Sequence, residues 1–151
     1  MTVRNKQLIT KLREKGFRVT PQRLAICEFV LSSREHPTVD YVYHVVRKEY
    51  PTLSLATVYQ TLHMLVAIGM LQELGFGNGI SRYDPDNSPH INIVCRSCGK
   101  IQDYKSESVR SFLSQIAEEL KRTLVGQHLE IYTYCDQCKK QSVRPRNAGF
   151  P

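Results

Sequence analysis

Apolar residues recur at helical spacing over residues 1–70 and at mixed strand and helix spacing beyond, so the chain reads as helices first and an α+β unit second. Residues 5–15 predict a basic amphipathic helix with Leu8, Ile9 and Leu12 on one side, ended by Gly16. Thr20-Pro21 opens a second helix: Thr20 caps, Pro21 suits the first helical position, and Leu24, Ile26, Cys27, Val30 and Leu31 form the apolar face. His36-Pro37-Thr38 breaks the chain. Thr38 then caps a third helix to about Glu49, with Val39, Val42, Val45 and Val46 at helical spacing and Pro51 as the stop. Ser54 caps a fourth, Leu55 to Ile68, whose Leu55, Val58, Leu62, Leu65 and Val66 make an inner stripe; Gly69 closes it.

Two short strand-like runs, 70–74 and 80–83, surround Gly75-Phe76-Gly77-Asn78-Gly79 and predict a β-hairpin. Short helices followed by a hairpin are the layout of a winged helix-turn-helix, in which one helix enters the major groove of DNA and the hairpin approaches the backbone. Asp84-Pro85-Asp86-Asn87-Ser88-Pro89 has linker composition, which places a domain boundary near residue 85. Beyond it, strands are expected over 90–95, 100–104 and 128–135. A helix within about 107–124 carries Val109, Phe112, Leu113, Ile116, Ala117, Leu120 and Leu124 on one face. Residues 142–151 show no apolar pattern and are expected to be a disordered tail.

Composition and charge sharpen this picture. A chain of 151 residues with 41% hydrophobic content builds one ordinary domain or two small ones, each marginal alone. No apolar run reaches the length of a membrane span, and Met1-Thr2-Val3-Arg4-Asn5-Lys6 lacks the apolar stretch of a signal peptide, so a soluble, cytoplasmic protein is expected. The formal charge is +7, with the basic excess concentrated in residues 1–23, where Arg4, Lys6, Lys11, Arg13, Lys15, Arg18 and Arg23 face the single acid Glu14. That density suits either a polyanion such as DNA phosphate or a solvated basic face.

The chemistry-bearing signal is cysteine. Cys95-Arg96-Ser97-Cys98 and Cys135-Asp136-Gln137-Cys138 are two pairs with the spacing of structural zinc, and in a reducing compartment metal is the expected use of such thiols. Two disulfides, or thiols that merely pack, are the alternatives. The segment 99–134 between the pairs is longer than the about 15–20 residues of a compact zinc ribbon, so a folded element lies between them. Cys27, in apolar company, is expected to be a core thiol.

Taken in order, Gly-Phe-Arg-Val-Thr-Pro-Gln-Arg (16–23), His36-Pro37-Thr38, Ala56-Thr57-Val58-Tyr59, Arg82-Tyr83-Asp84, the two Cys pairs and His128-Leu129-Glu130-Ile131-Tyr132 resemble the ferric uptake regulator (Fur) family of metal-dependent repressors, over residues 5 to about 140. The resemblance implies an N-terminal winged-helix DNA-binding domain (1–84) and a C-terminal α/β dimerisation and metal-sensing domain (85–141). It implies a homodimer on a near-palindromic double-stranded operator, and no enzymatic activity. Cys95, Cys98, Cys135 and Cys138 match the structural zinc ligands.

The resemblance also implies a regulatory site for Fe²⁺ or Mn²⁺, with Zn²⁺ an option, at His36, Asp84, His90, Asn92 and Asp103. Asn92 departs from the pattern, which has a second histidine there, and offers only a neutral amide oxygen. Asp103 resembles the peroxide-sensing branch, in which oxidation of a ligating histidine releases the metal; His36 and His90 are then the oxidisable ligands. The other reading within the family is an iron- or zinc-uptake repressor without peroxide chemistry. His128 is read as structural, because Pro89 and Ile91 stand where partners for a further metal site would be needed. For DNA, the fourth helix is expected to present Ser54, Thr57, Tyr59 and Gln60, with Lys15, Arg18 and Arg23 on nearby phosphate. Gln60 stands where relatives commonly carry Arg, and Gln reads adenine where Arg prefers guanine. A catalytic metal centre and a zinc-stabilised RNA- or protein-binding module are the readings from other classes.

Overall fold

The computed structural model describes residues 3–75 and 79–141. The expected tail, 142–151, and positions 76–78 of the hairpin turn lie outside the described residues. The chain divides into two compact units, Met1–Asn87 and Ser88–Pro151.

The first unit is helical with a small hairpin: α1 (Val3–Glu14), α2 (Pro21–Ser32), α3 (Val39–Val46), α4 (Leu55–Ala67), β1 (Gln72–Gly75) and β2 (Ser81–Asp84). Each helix from α2 to α4 begins where its capping residue says it should. Thr20, Thr38 and Ser54 accept hydrogen bonds from the backbone N–H of Arg23, Tyr41 and Thr57, satisfying a donor that the helix itself cannot. Gly16 and Gly69 end α1 and α4 with φ of 78° and 69°, the left-handed conformation that lets the next N–H reach back five residues (Phe17 to Leu12 O, Met70 to Leu65 O, both 2.9 Å). The third helix is shorter than expected: after Val46 the chain tightens into turns, with Glu49 and Tyr50 N–H both reaching Val46 O.

β1 and β2 pair antiparallel, Gln72 opposite Asp84 and Gly75 opposite Ser81. Leu8, Leu12, Ile26, Cys27, Val30, Val39, Val42, Val46, Val58, Leu62 and Leu65 share one buried core with Leu71 and Tyr83. Leu55 does not continue the inner stripe of α4. It sits in the first turn, 38% exposed.

The second unit holds β3 (Ile91–Cys95), β4 (Ile101–Tyr104), α5 (Glu107–Leu120), β5 (Glu130–Thr133) and α6 (Asp136–Gln141). Its sheet has the order β4-β3-β5, with β3 antiparallel to β4 and parallel to β5; α5 lies in the crossover. α5 ends at Leu120, short of the expected 124. Lys121 takes φ 51°, and Lys121 and Arg122 N–H close on Glu118 and Ala117 O, the arrangement a glycine usually provides. With no glycine to mark it, that stop was invisible to a periodicity argument.

The helix also buries less than its stripe suggests: Val109 and Leu113 are covered, while Phe112 (52%) and Leu120 (56%) are exposed. Ile131 on β5 (50%) adds to this uncovered apolar surface. The second Cys pair spans the start of α6. No helix among the described residues is long and apolar enough to cross a membrane.

Candidate functional site

The two Cys pairs meet at one end of the second unit's sheet. Cys95 ends β3 opposite Thr133 of β5, which brings the start of α6 beside the turn that holds Cys98. All four sulfurs lie within 4.8 Å of one another, and the Sγ atoms of Cys98 and Cys135 are 3.8 Å apart. Four sulfurs at about 2.3 Å around a tetrahedral Zn²⁺ are separated by about 3.8 Å, whereas a disulfide needs about 2.05 Å. The four residues fit zinc, and none of the described cysteines is in a disulfide. The backbone N–H of Cys135 donates to Cys95 Sγ (3.3 Å), and that bond, followed by one from the Cys98 N–H, lowers the Cys95 thiol from 9.0 to about 6. Its thiolate, the form that binds metal, is thereby favoured near neutral pH.

The expected regulatory residues form two groups, one in each unit. In the first unit, His36 precedes Pro37 with φ 48°, a conformation uncommon for a residue with a Cβ. β2 holds it there: Arg82 Nη1 donates to the His36 carbonyl (3.3 Å) and Tyr83 N–H to the Pro37 carbonyl (3.1 Å). His36 Nε2 lies 3.6 Å from Asp84 Oδ2, both side chains buried, while Asp84 Oδ1 accepts from the Asp86 N–H (2.8 Å).

In the second unit, Asn92 of β3 lies opposite Asp103 of β4 and also opposite Glu130 of β5, so one face of the sheet carries Asp103, Asn92 and Glu130 in a row. His90 is buried two residues before Asn92, with Nδ1 2.7 Å from Ser88 O. A proton on Nδ1 donates to that carbonyl and fixes the orientation of the ring. In each unit an imidazole and a carboxylate offer nitrogen and oxygen donors of the kind suited to Fe²⁺, Mn²⁺ or Zn²⁺, harder than the all-sulfur cluster.

Sequence reasoning assigned no role to Glu130, although the alternation of polar His128, Glu130 and Tyr132 with apolar Leu129 and Ile131 marks a strand face. His128, read as structural, pairs through Nε2 with Glu130 Oε1 at 2.6 Å. The Tyr132 hydroxyl donates to Glu130 Oε2, and that bond, together with partial burial, raises the Tyr132 phenol. Arg96 lies over the Tyr132 ring, 5.4 Å from its centroid.

The expected DNA contacts all lie in the first unit. Ser54 Oγ caps α4 and is 2.8 Å from Thr57 Oγ1, so both hydroxyls are engaged at the helix start, while Tyr59 and Gln60 are exposed one turn further on. Lys15 and Arg18 are exposed. Arg23 joins the basic segment to α4: its guanidinium donates to Arg18 O (3.0 Å) and to Gln60 Oε1 (3.5 Å). His44 and His63 are exposed and belong to none of these groups.

Comparison with known proteins gives a consistent picture. The ferric uptake regulator family matches residues 14–132. The peroxide-responsive repressor PerR of Staphylococcus epidermidis is 37% identical over 134 residues, covering 88% of this chain and 89% of that one. Among solved structures, the peroxide stress regulator of Campylobacter jejuni superposes with a TM-score of 0.70 at 30% identity, over 91% of this chain and 100% of that one. The ferric uptake regulator of Pseudomonas aeruginosa, solved with manganese, gives 0.72 at 25% identity over 84% and 96%. With a four-cysteine cluster that fits zinc, the chain belongs to the ferric uptake regulator family of dimeric, metal-dependent, DNA-binding transcriptional regulators, and is not an enzyme.

Proposed function

We infer that this chain is a cytoplasmic repressor that binds a near-palindromic operator as a homodimer when a regulatory Fe²⁺ or Mn²⁺ is loaded, and that leaves it on exposure to peroxide. The observation that carries the reading is the buried His36–Asp84 pair. His36 is held in a strained left-handed conformation by two hydrogen bonds from β2, and such strain collects where a ligand is to be met.

Residues 1–84 supply the DNA-binding domain. Ser54, Thr57, Tyr59 and Gln60 address the groove; Lys15, Arg18 and Arg23 address phosphate. Residues 85–141 supply dimerisation and metal sensing, with the exposed Phe112, Leu120 and Ile131 as apolar surface for a second copy. Cys95, Cys98, Cys135 and Cys138 hold structural zinc in a closed site. The regulatory ion draws on His36, Asp84, His90 and Asp103, with the Asn92 amide oxygen a weak ligand, so that metal and operator binding favour each other by the same factor.

Fe²⁺ held there would supply the electrons that activate hydrogen peroxide. His36 or His90 would be the ring that gains one of its oxygen atoms, the other leaving as water, and an oxidised ring would no longer bind as a ligand. The test is operator binding by the zinc-loaded protein against added Mn²⁺, Fe²⁺ and Zn²⁺, with and without peroxide. Binding should require Mn²⁺ or Fe²⁺; peroxide should abolish it only with Fe²⁺, together with the gain of one oxygen on a peptide holding His36 or His90. Metal-dependent binding that peroxide leaves intact identifies an iron- or zinc-uptake repressor instead. Binding indifferent to regulatory metal overturns the reading.

A further inference from the structure

We propose that Leu55 is a specificity-determining residue, packing its side chain against the C5-methyl group of a thymine in the operator. This rests on the reading above that α4 is the helix that addresses the groove. The apolar pattern of α4 puts Leu55 on the inner stripe, yet it stands 38% exposed at the first helical position after its cap, Ser54. Ala56, Tyr59, Gln60 and His63 are exposed with it, at the spacing that keeps all five on one side of the helix. α4 carries no arginine, lysine or carboxylate anywhere along its length.

The polar groups at the start of that helix are largely committed to the protein itself. Ser54 Oγ accepts from the Thr57 N–H and lies 2.8 Å from Thr57 Oγ1, and Gln60 Oε1 accepts from Arg23 at 3.5 Å. What faces outward at the first two turns is aliphatic and aromatic: Leu55, and one turn on Tyr59, 46% exposed. A single exposed leucine is ordinary on a protein surface. Leu55 differs in its place, beside an exposed tyrosine on an uncharged helix face, in a unit whose first 23 residues are strongly basic.

Those basic residues supply attraction to phosphate, which carries no sequence information, and leave the α4 face to discriminate between bases. The first residues of a recognition helix are the ones that reach base edges. In the major groove every base pair shows hydrogen-bonding groups, and thymine alone adds a methyl group. An aliphatic side chain at that position has the methyl as its complementary partner. Covering one methyl is worth about three- to fourfold in affinity, so two half-sites together give about tenfold.

The experiment uses the full-length zinc-loaded protein with Mn²⁺, and a DNA duplex that this protein selects from a random library. Thymines are replaced by uracil at one symmetric pair of positions at a time, which removes the methyl and keeps the base pairing. At one such pair the replacement should weaken wild-type binding about tenfold. Leu55→Ala should weaken binding to the unmodified duplex by a similar factor, with binding to random DNA held within about twofold. In that variant the same uracil replacement should cost less than about twofold, because the side chain that met the methyl is gone. Leu55→Met, of similar volume, should keep most of the sensitivity.

A uracil penalty that survives Leu55→Ala unchanged gives the methyl to another residue and overturns the proposal. So does a loss shared equally by operator and random DNA, and so does a wild-type scan in which no thymine responds. Tyr59→Ala and Gln60→Ala separate this result from the reading beneath it. If neither lowers the preference for operator over random DNA, α4 is not the reading helix and both fall. If either does while Leu55→Ala leaves the preference intact, only the assignment of Leu55 falls.

Discussion

The two units solve the same stability problem with different means. The first buries a continuous set of aliphatic side chains, from Leu8 and Leu12 through Ile26, Val30, Val42, Val58 and Leu62 to Leu71, around four helices and a hairpin. In the second, the buried apolar residues are few: Val94, Ile101, Val109, Leu113, and two cysteines, Cys95 and Cys138. Small domains without an adequate core need a staple, and a structural metal is one. The comparison teaches that zinc is part of the second unit's fold, while the first unit stands on burial alone.

Removing zinc tests that contrast with the largest effect. Structural zinc sites contribute about 10–16 kcal/mol of apparent binding free energy that is also folding free energy. A strong chelator, or Cys95→Ser, should therefore unfold the second unit: amide signals from β3, β4 and β5 should lose their dispersion in a two-dimensional NMR spectrum while those of α2, α3 and α4 keep theirs. A second unit that stayed folded without zinc would break the comparison at its base.

The second unit's exposed apolar surface comes next. If Phe112, Leu120 and Ile131 meet a second copy, Leu120→Glu places a charge in that contact and should turn the dimer into a monomer by light scattering at micromolar concentration. Because Leu120 is over half exposed within one chain, its replacement should move the chelator resistance of the zinc site little. In the first unit, Leu62→Ala should cost about 2–5 kcal/mol in a urea titration, because Leu62 is fully buried and the cavity left behind adds to the lost transfer energy.

Cys27 gives an independent probe of the first unit. Burial, helped by the neighbouring Glu28, pushes its thiol from 9.0 up to about 12. The sign follows: the folded state holds the proton more tightly, so the contribution to stability is complete below pH 9 and is lost as pH rises from 9 towards 12. At pH 8 a thiol reagent should modify Cys27 at the rate at which the first unit opens, and Leu62→Ala should accelerate that modification while chelation should not.

What could be read from the sequence differs between the units for the same physical reasons. In the first, Thr20, Thr38, Ser54, Gly16 and Gly69 are local signals for helix ends, and each helix starts or stops where they stand. The four-cysteine cluster was equally legible, because its spacing is local to each pair and its chemistry is unambiguous. Glu130 was not. Its position depends on a parallel pairing between strands separated by a whole crossover helix, and no local pattern specifies that register. The exposed half of α5 was missed because periodicity shows that a face is apolar without showing what covers it.

Lys121 carries the smallest effect and separates backbone strain from packing. It occupies φ 51°, ψ 41° at the end of α5, where a Cβ costs about 1–2 kcal/mol, and its neighbours' hydrogen bonds to Ala117 and Glu118 keep it there. Lys121→Gly removes that cost but frees the unfolded chain, which takes back about 0.4–1 kcal/mol. The net expectation is a gain of about 0.5–1 kcal/mol in the zinc-loaded protein, read as a rise in the urea midpoint of the second unit's transition. Lys121 is exposed, so no packing is lost to blur the result. A loss of stability would mean that the turn is held by more than its backbone. The second unit would then owe part of its fold to interactions at the end of α5, and zinc would be a smaller share of the difference between the two units.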